Sequence, residues 1–167
     1  HKGVTVTLAK VAPGGDKVVT GSSRSRVVLV WDAVSCRPLH KLVNRDSLMD
    51  IAITARGEIA VTDFGGRTKL WNAVSGRPLR SLGLHGEMAF GLRAFPQGHL
   101  LATYNRRTAT IWNATSGELL HRLGTVGVVR HIAVAPGGDM LVTCDGHQAT
   151  VWDAASGVKL RTLQGRP

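Results

Sequence analysis

The side chains able to do chemistry are few, and their spacing argues against most of it. Seven histidines raise the question of a metal. His40 and His121, however, hold equivalent places in a recurring phrase whose other copies carry Arg80 and Arg161. A metal ligand does not interchange with a guanidinium, so the series predicts a basic surface and no metal. Cys36 and Cys144 form no Cys-x-x-Cys pair for zinc or thiol exchange, and two reduced thiols are expected. "APGGDK" at 12–17 has glycines and a lysine but lacks the G-x-x-x-x-G-K-[ST] spacing of a phosphate loop, so a hairpin turn accounts for it. Asn113-Ala114-Thr115 fits a glycosylation acceptor and is expected to stay unmodified. No nucleophile, base and orienting group occur at spacings that place them together. The residues predict a chain that binds and does not catalyse, and no cofactor is expected.

Charge narrows the partner. Lys and Arg number 21 against 11 Asp and Glu, a net charge of +10 over 167 residues. An excess of that size attracts acidic partners and says nothing about fold. Hydrophobic residues make up 43% of the chain, a globular composition. No run approaches the roughly 18 apolar residues of a membrane span. The opening "HKGVTVTLAK" has neither a long apolar signal core nor an initiator Met. We therefore expect a cytoplasmic chain with no membrane partner, and a segment of something longer.

The elements that must position these side chains are written four times. "WDAVSCRPLHKL" at 31–42 returns as "WNAVSGRPLRSL" at 71–82, "WNATSGELLHRL" at 112–123 and "WDAASGVKLRTL" at 152–163. Trp31, Trp71, Trp112 and Trp152 are thus 40, 41 and 40 residues apart. A phrase copied at fixed period marks a structural unit that buries its apolar surface only by stacking on its neighbours. Before each Trp lies a short aliphatic or β-branched run, such as "RVVLV" or "TATI". Upstream of it is a run ending in Thr, such as "KVVT" or "LLAT", and before that a third, such as "LMDIAIT". A fourth, such as "RPLRSL", follows a Ser-Gly turn. Gly15, Gly57, Gly98 and Gly138 stand at equivalent turn positions, as turns needing φ > 0 prefer. Each unit is predicted to be four short antiparallel strands joined by hairpins.

On these residues the chain resembles WD-repeat β-propeller sequence over essentially its whole length. The resemblance is carried by Trp31-Asp32, Trp152-Asp153, the variants Trp71-Asn72 and Trp112-Asn113, and the leucines at 39, 42, 79, 82, 120, 123, 160 and 163. It implies an all-β fold of four four-stranded antiparallel blades, an open arc or part of a larger ring. The blades span 1–43, 44–83, 84–124 and 125–167. Propellers commonly hold roughly four to eight blades. The expected neighbours at the two ends are therefore further blades, from the same chain or from a second copy.

The family's buried network joins a Gly-His, a Ser/Thr, the Trp and an Asp six residues before the Trp. Here the first feature survives only as His1 and His85, and the Asp position holds Ser25, Gly65, Arg106 and Gly146. The repeats are degenerate, and Thr20, Thr62, Thr103 and Thr143 are expected to retain part of the network.

The resemblance also implies a binding face, built from the loops between second and third strands together with the loops between blades. The first set contributes Arg24, Arg26, Phe64, Arg67, Tyr104, Arg106, Arg107, Asp145 and His147; the second adds Lys2, Arg45 and Glu87. Arginine beside exposed aromatics suits protein interfaces. It suits nucleic acid as well, through phosphate contacts and base stacking. His40, Lys41, Arg80, His121, Arg122 and Arg161, once or twice per outer strand, form a second basic strip. The resulting expectation is a non-catalytic scaffold of a multiprotein complex that binds a protein with an acidic surface or tail. An RNA-contacting scaffold of a ribonucleoprotein is the alternative.

Overall fold

A computed structural model describes residues 5–83 and 89–165. The fold is all-β, with no helix among the described residues. Sheet 1 comprises β1 (Leu8–Val11), β2 (Lys17–Gly21), β3 (Val27–Asp32) and β4 (Pro38–Val43). Sheet 2 comprises β5 (Leu48–Ile53), β6 (Glu58–Asp63), β7 (Thr68–Asn72) and β8 (Pro78–Leu82). Sheet 3 comprises β9 (Gly91–Ala94), β10 (Leu100–Tyr104), β11 (Thr108–Asn113) and β12 (Leu119–Gly124). Sheet 4 comprises β13 (His131–Val134), β14 (Met140–Cys144), β15 (Gln148–Asp153) and β16 (Lys159–Gln164).

Every sheet is a meander whose strands pair antiparallel in chain order. The sheets approach one another most closely through their first strands, β1 against β5, β5 against β9 and β9 against β13. First strands therefore gather on the inside while β4, β8, β12 and β16 lie outside. Four propeller-like blades result, and they form an open arc.

Local chemistry explains the meander. Gly15, Gly57, Gly98 and Gly138 take φ between 71° and 78° in the first hairpin of each sheet, as their positions predicted. In the third hairpin the Asp or Asn after each Trp folds the turn onto itself. Asp32 Oδ1 accepts the Ser35 amide at 2.7 Å, Asn72 Oδ1 the Ser75 amide at 2.8 Å, and Asp153 Oδ1 the Ser156 amide at 2.8 Å. Such self-bonding is what Asx residues do in turns, and Asn serves as well as Asp. Asn113 Oδ1 is engaged in the same way, by the Thr115 amide at 2.9 Å.

No sheet has a core of its own. One cluster joins Val19, Val28, Val30 and Leu42 of sheet 1 to Ile51, Ile59 and Trp71 of sheet 2. A second joins Ala60, Leu70 and Leu82 to Leu101 and Trp112, and a third joins Ile111 and Leu123 to Leu141 and Trp152. Each joint thus sets the aliphatic face of one sheet against the tryptophan face of the next.

The outer strand owes its orientation to a bulge. In β3–β4 the partner of Trp31 is Pro38 and that of Val30 is His40, which leaves Leu39 as the extra residue. The same shift occurs beside Trp71, Trp112 and Trp152. A bulge of one residue reverses facing, so His40 and Leu42 turn with Val30 and Val28 toward the next sheet. His40 Nε2–H donates to the Val74 carbonyl at 2.7 Å, Arg80 Nη1 to the Ala114 carbonyl at 2.6 Å, and His121 Nε2–H to the Ala155 carbonyl at 2.8 Å. Each joint is therefore clamped from the outer strand onto the neighbour's last turn.

The clamps press on the turn glycines. A Cβ on Gly76 would lie 2.8 Å from the His40 ring and one on Gly157 2.7 Å from the His121 ring. Beside Arg80 the fit is loose, since a Cβ on Gly117 would meet Arg80 Cδ at 3.7 Å.

The expected polar link to tryptophan holds in three sheets and fails in one. Trp31 Nε1 donates to Thr20 at 2.8 Å, Trp112 to Thr103 at 2.8 Å and Trp152 to Thr143 at 2.9 Å. Thr62 does not play this part: Trp71 Nε1 is buried with no partner, and the Thr62 hydroxyl donates to the Asp50 carbonyl at 3.3 Å. Turn geometry is the reason. Asn105 N bonds to Thr108 O and Asp145 N to Gln148 O, which makes two-residue loops in sheets 3 and 4. Asp63 N bonds instead to Arg67 O, with Gly66 at φ 79°, so the sheet 2 loop takes three residues. The number of residues from Thr to Trp is unchanged, so the register slips by one and Thr62 changes face. Val61 stands where the hydroxyl is needed, opposite Lys69, whose Nζ lies 4.1 Å from the Trp71 ring centroid.

Two predictions follow from these contacts. Val61→Thr gives Trp71 its missing acceptor and should stabilise the fold by about 0.5–1.5 kcal/mol. Thr103→Val removes an existing acceptor and should cost about 1–3 kcal/mol. Urea midpoints of the two variants test this, and a destabilising Val61→Thr refutes the register explanation. Second, Gly57→Ala, where a Cβ meets nothing within 4 Å, should cost about 1–2 kcal/mol for its positive φ alone. Gly76→Ala should cost more, and His40→Ala in the same chain should recover the excess. A double-mutant cycle with no coupling would show that the clamp carries no energy.

Candidate ligand-binding face

The four second-to-third-strand loops share a construction in which a polar side chain at the loop's start binds backbone amides near its end. Ser22 Oγ accepts the Arg24 amide at 3.3 Å, and Asp63 Oδ1 accepts the Arg67 amide at 3.1 Å. Asn105 Oδ1 takes the amides of Arg107 and Thr108, both at 2.8 Å. Asp145 Oδ1 takes those of His147 and Gln148, both at 2.9 Å. These amide bonds hold the Asp145 carboxyl below the usual carboxylate range, the His147 amide contributing most. In each case the polar side chain looks inward to the backbone and leaves the tip residues to solvent.

Arg24, Arg26, Arg67, Arg106, Arg107 and His147 are exposed, as is Phe64. Ion pairs among the described residues are two, Lys17–Asp16 and Arg93–Asp50, so none of these five arginines has a carboxylate partner there. Backbone bonds tie the loops in two groups, those of sheets 1 and 2 through residues 47–48 and that of sheet 3 to the lead-in of sheet 4. Leu48 N donates to Ser25 O at 3.0 Å, Phe64 N to Ser47 O at 2.9 Å and Val129 N to Arg106 O at 3.2 Å. The Thr125 hydroxyl adds a bond to Arg107 O at 2.8 Å.

Side chains converge on sheet 3 and its joint with sheet 2. The Arg106 guanidinium stands 5.7 Å from the centre of the Phe90 ring, within cation–π reach. Tyr104 is half-buried against Gly91, where an added Cβ would fall 2.6 Å from its ring. Burial pushes the Tyr104 phenol upward, against the smaller opposing effect of Arg93. On the inner edge Arg93 Nη1 reaches Asp50 Oδ2 at 3.0 Å, and the same oxygen accepts the Leu92 amide at 3.1 Å. Asp50 is available because the slipped register of sheet 2 is taken up by a second bulge between Leu48 and Asp50.

Not all the predicted residues meet. Among the described residues no side-chain bond or ring contact joins Arg24, Arg26, Arg67 or His147 to one another, so they are separate points on a shared face. Arg45 is exposed between sheets 1 and 2, whereas Lys2, Glu87, His1 and His85 lie outside the described residues. Phe90, Arg93 and Asp50 were missed by sequence reasoning. A lone Asp within the apolar run "LMDIAIT" was the signal that could have found one of them.

The outer basic strip divides. His40, Arg80 and His121 are half-buried and spend a donor on the neighbouring sheet, while Lys41, Arg122 and Arg161 are exposed. Among the described residues no group of three or more His, Cys, Asp and Glu gathers to hold a metal, and no helix is long and apolar enough to cross a membrane. No protein-family model matches the chain, and no curated protein matches it in sequence.

Proposed function

We propose that this chain is a non-catalytic scaffold of the WD-repeat type, which captures an acidic segment of a partner protein on its loop face and so helps assemble a multiprotein complex. One observation carries the reading: exposed arginines without carboxylate partners among the described residues stand on loops that are closed by their own side chains and tied by backbone bonds to the neighbouring inter-sheet segments. Rigid loops lose little entropy on binding, and unpaired guanidiniums give a peptide carboxylate a bidentate partner. Phe64 and the Phe90–Arg106 pair supply apolar contact between the charges, which favours a peptide with aromatic or aliphatic residues among its acids.

The test is a screen of the chain against an array of acidic peptides. For the tightest peptide, Arg106→Glu with Arg107→Glu should weaken binding by at least about tenfold, since each change replaces an attraction with a repulsion. Phe64→Ala should weaken it as well, while Lys41→Glu on the outer strip should not. Unchanged binding in the double variant refutes the assignment of the face. Retention of single-stranded RNA in place of any peptide, with a steep logarithmic salt slope and little base preference, supports the nucleic-acid reading instead.

A further inference from the structure

The first hairpin of sheet 2 is one residue shorter than its counterparts. Ala12 N bonds to Lys17 O, Phe95 N to Leu100 O and Ala135 N to Met140 O, so four residues form each of those turns. In sheet 2 Thr54 N bonds to Glu58 O, which leaves three. The residue sheet 2 lacks is the one just before the second strand, held elsewhere by Asp16, His99 and Asp139. Its carbonyl has a task in the other sheets. Asp16 O accepts the Ala33 amide at 2.9 Å, His99 O the Ala114 amide at 2.6 Å and Asp139 O the Ala154 amide at 2.8 Å. Ala73 is their counterpart in sheet 2. It is 6% exposed, and its amide has no hydrogen-bond partner among the described residues.

A hollow of about 270 Å³ lies beside this short turn, between it and the first hairpin of sheet 1. Asp16 and Lys17 line it from sheet 1, and Arg56, Glu58, Ala73 and Val74 from sheet 2. Glu58 Oε2 is buried without a hydrogen-bond partner. Both cations of the hollow are engaged elsewhere: Lys17 pairs with Asp16, and Arg56 Nη1 donates to Thr115 Oγ1 of sheet 3 at 3.1 Å. One wall thus holds an unanswered carboxylate oxygen and an unanswered amide. A buried carboxylate calls for a charged donor, and a buried amide for a carbonyl. The volume falls below the roughly 300–1,000 Å³ of drug-sized ligand sites and is several times the roughly 30 Å³ of one water. It suits one side chain together with its own backbone.

We propose that this hollow is a second binding site, which takes a lysine side chain from a basic segment of a partner protein. The ammonium donates to Glu58 Oε2, and the aliphatic stem lies along Val74, which is 76% exposed. A backbone carbonyl of the same segment accepts the Ala73 amide, in place of the carbonyl that the other sheets supply for themselves. Lysine fits better than arginine because a single unpartnered oxygen suits a compact point charge, whereas a guanidinium fork is matched by two. Charge agrees with this choice. Asp32, Glu118, Asp139 and Asp153 stand on turns of this same edge, opposite the arginine-rich loops. The chain is electrically polarised, and a basic segment is steered to the turn edge. The site sits at the internal joint of sheets 1 and 2 and is independent of what the loop face binds.

Amide NMR of the isotopically labelled chain tests it, with acetyl-lysine methylamide as the probe at low salt. The Ala73 and Glu58 amide resonances should shift and saturate, and the norleucine analogue, which lacks the ammonium, should leave them in place. Glu58→Gln should weaken binding by about tenfold or more, as loss of a buried charged partner does. Inserting one Asp between Gly57 and Glu58 restores the four-residue turn. It should slow exchange of the Ala73 amide to the rate of Ala114 and abolish probe binding. Arg106→Glu with Arg107→Glu should leave probe binding unchanged, which separates this site from the loop face. An Ala73 resonance that does not move overturns the proposal, as do equal affinities for the lysine and norleucine probes. Undiminished binding in Glu58→Gln, or an Ala73 amide already as protected as that of Ala114 without probe, overturns it too.

Discussion

Everything in this fold depends on the joint between successive sheets. A four-stranded meander with apolar residues on both faces cannot exclude water from either, and every buried cluster here spans two sheets. The tryptophan is the shared part. The rings of Trp71, Trp112 and Trp152 are covered by the preceding sheet, and in three sheets the indole nitrogen is satisfied by a threonine of its own sheet. The energy is thus distributed by nearest neighbours, as in other stacked repeats.

The loop face is a by-product of this stacking. Because first strands gather inside, the second-to-third-strand loops of all four sheets come to one edge of the arc, and backbone bonds tie them to the adjoining inter-sheet segments in two groups, sheets 1 with 2 and sheet 3 with the lead-in to sheet 4. Turn capping then decides which side chains face solvent. The same polar residues that close each hairpin are those that push arginine outward, so fold and surface are built by one set of hydrogen bonds. The outer strip behaves differently. There a bulge beside each tryptophan directs alternate cations into the neighbouring sheet, and half of a stripe that reads as surface serves as mortar.

The strands, their order and the turn glycines were legible in the sequence because each rests on local chemistry repeated four times. The exposed tips Arg24, Arg67 and Arg107 were legible for the same reason. What was not legible depended on register. Thr62 looks equivalent to Thr103 and Thr143 by its distance from the tryptophan, and only the choice between a two- and a three-residue loop separates them. His40 and His121 alternate with arginine, which suggests a solvent surface; a one-residue bulge is required to see that they turn inward. Asp50 and Arg93 lie 43 residues apart and meet because two first strands adjoin, a long-range fact with no local signature.

The three-residue loop of sheet 2 links two properties that are usually treated as separable. Phe64, the most exposed aromatic of the loop face, occupies the segment whose turn geometry leaves the Trp71 nitrogen without a partner. Any change in this loop's length would also reset which residue reaches the interior. Evolvability of the loop face is therefore tied to the foldedness of the sheet that carries it, and variants altered at this loop will be sorted by solubility as well.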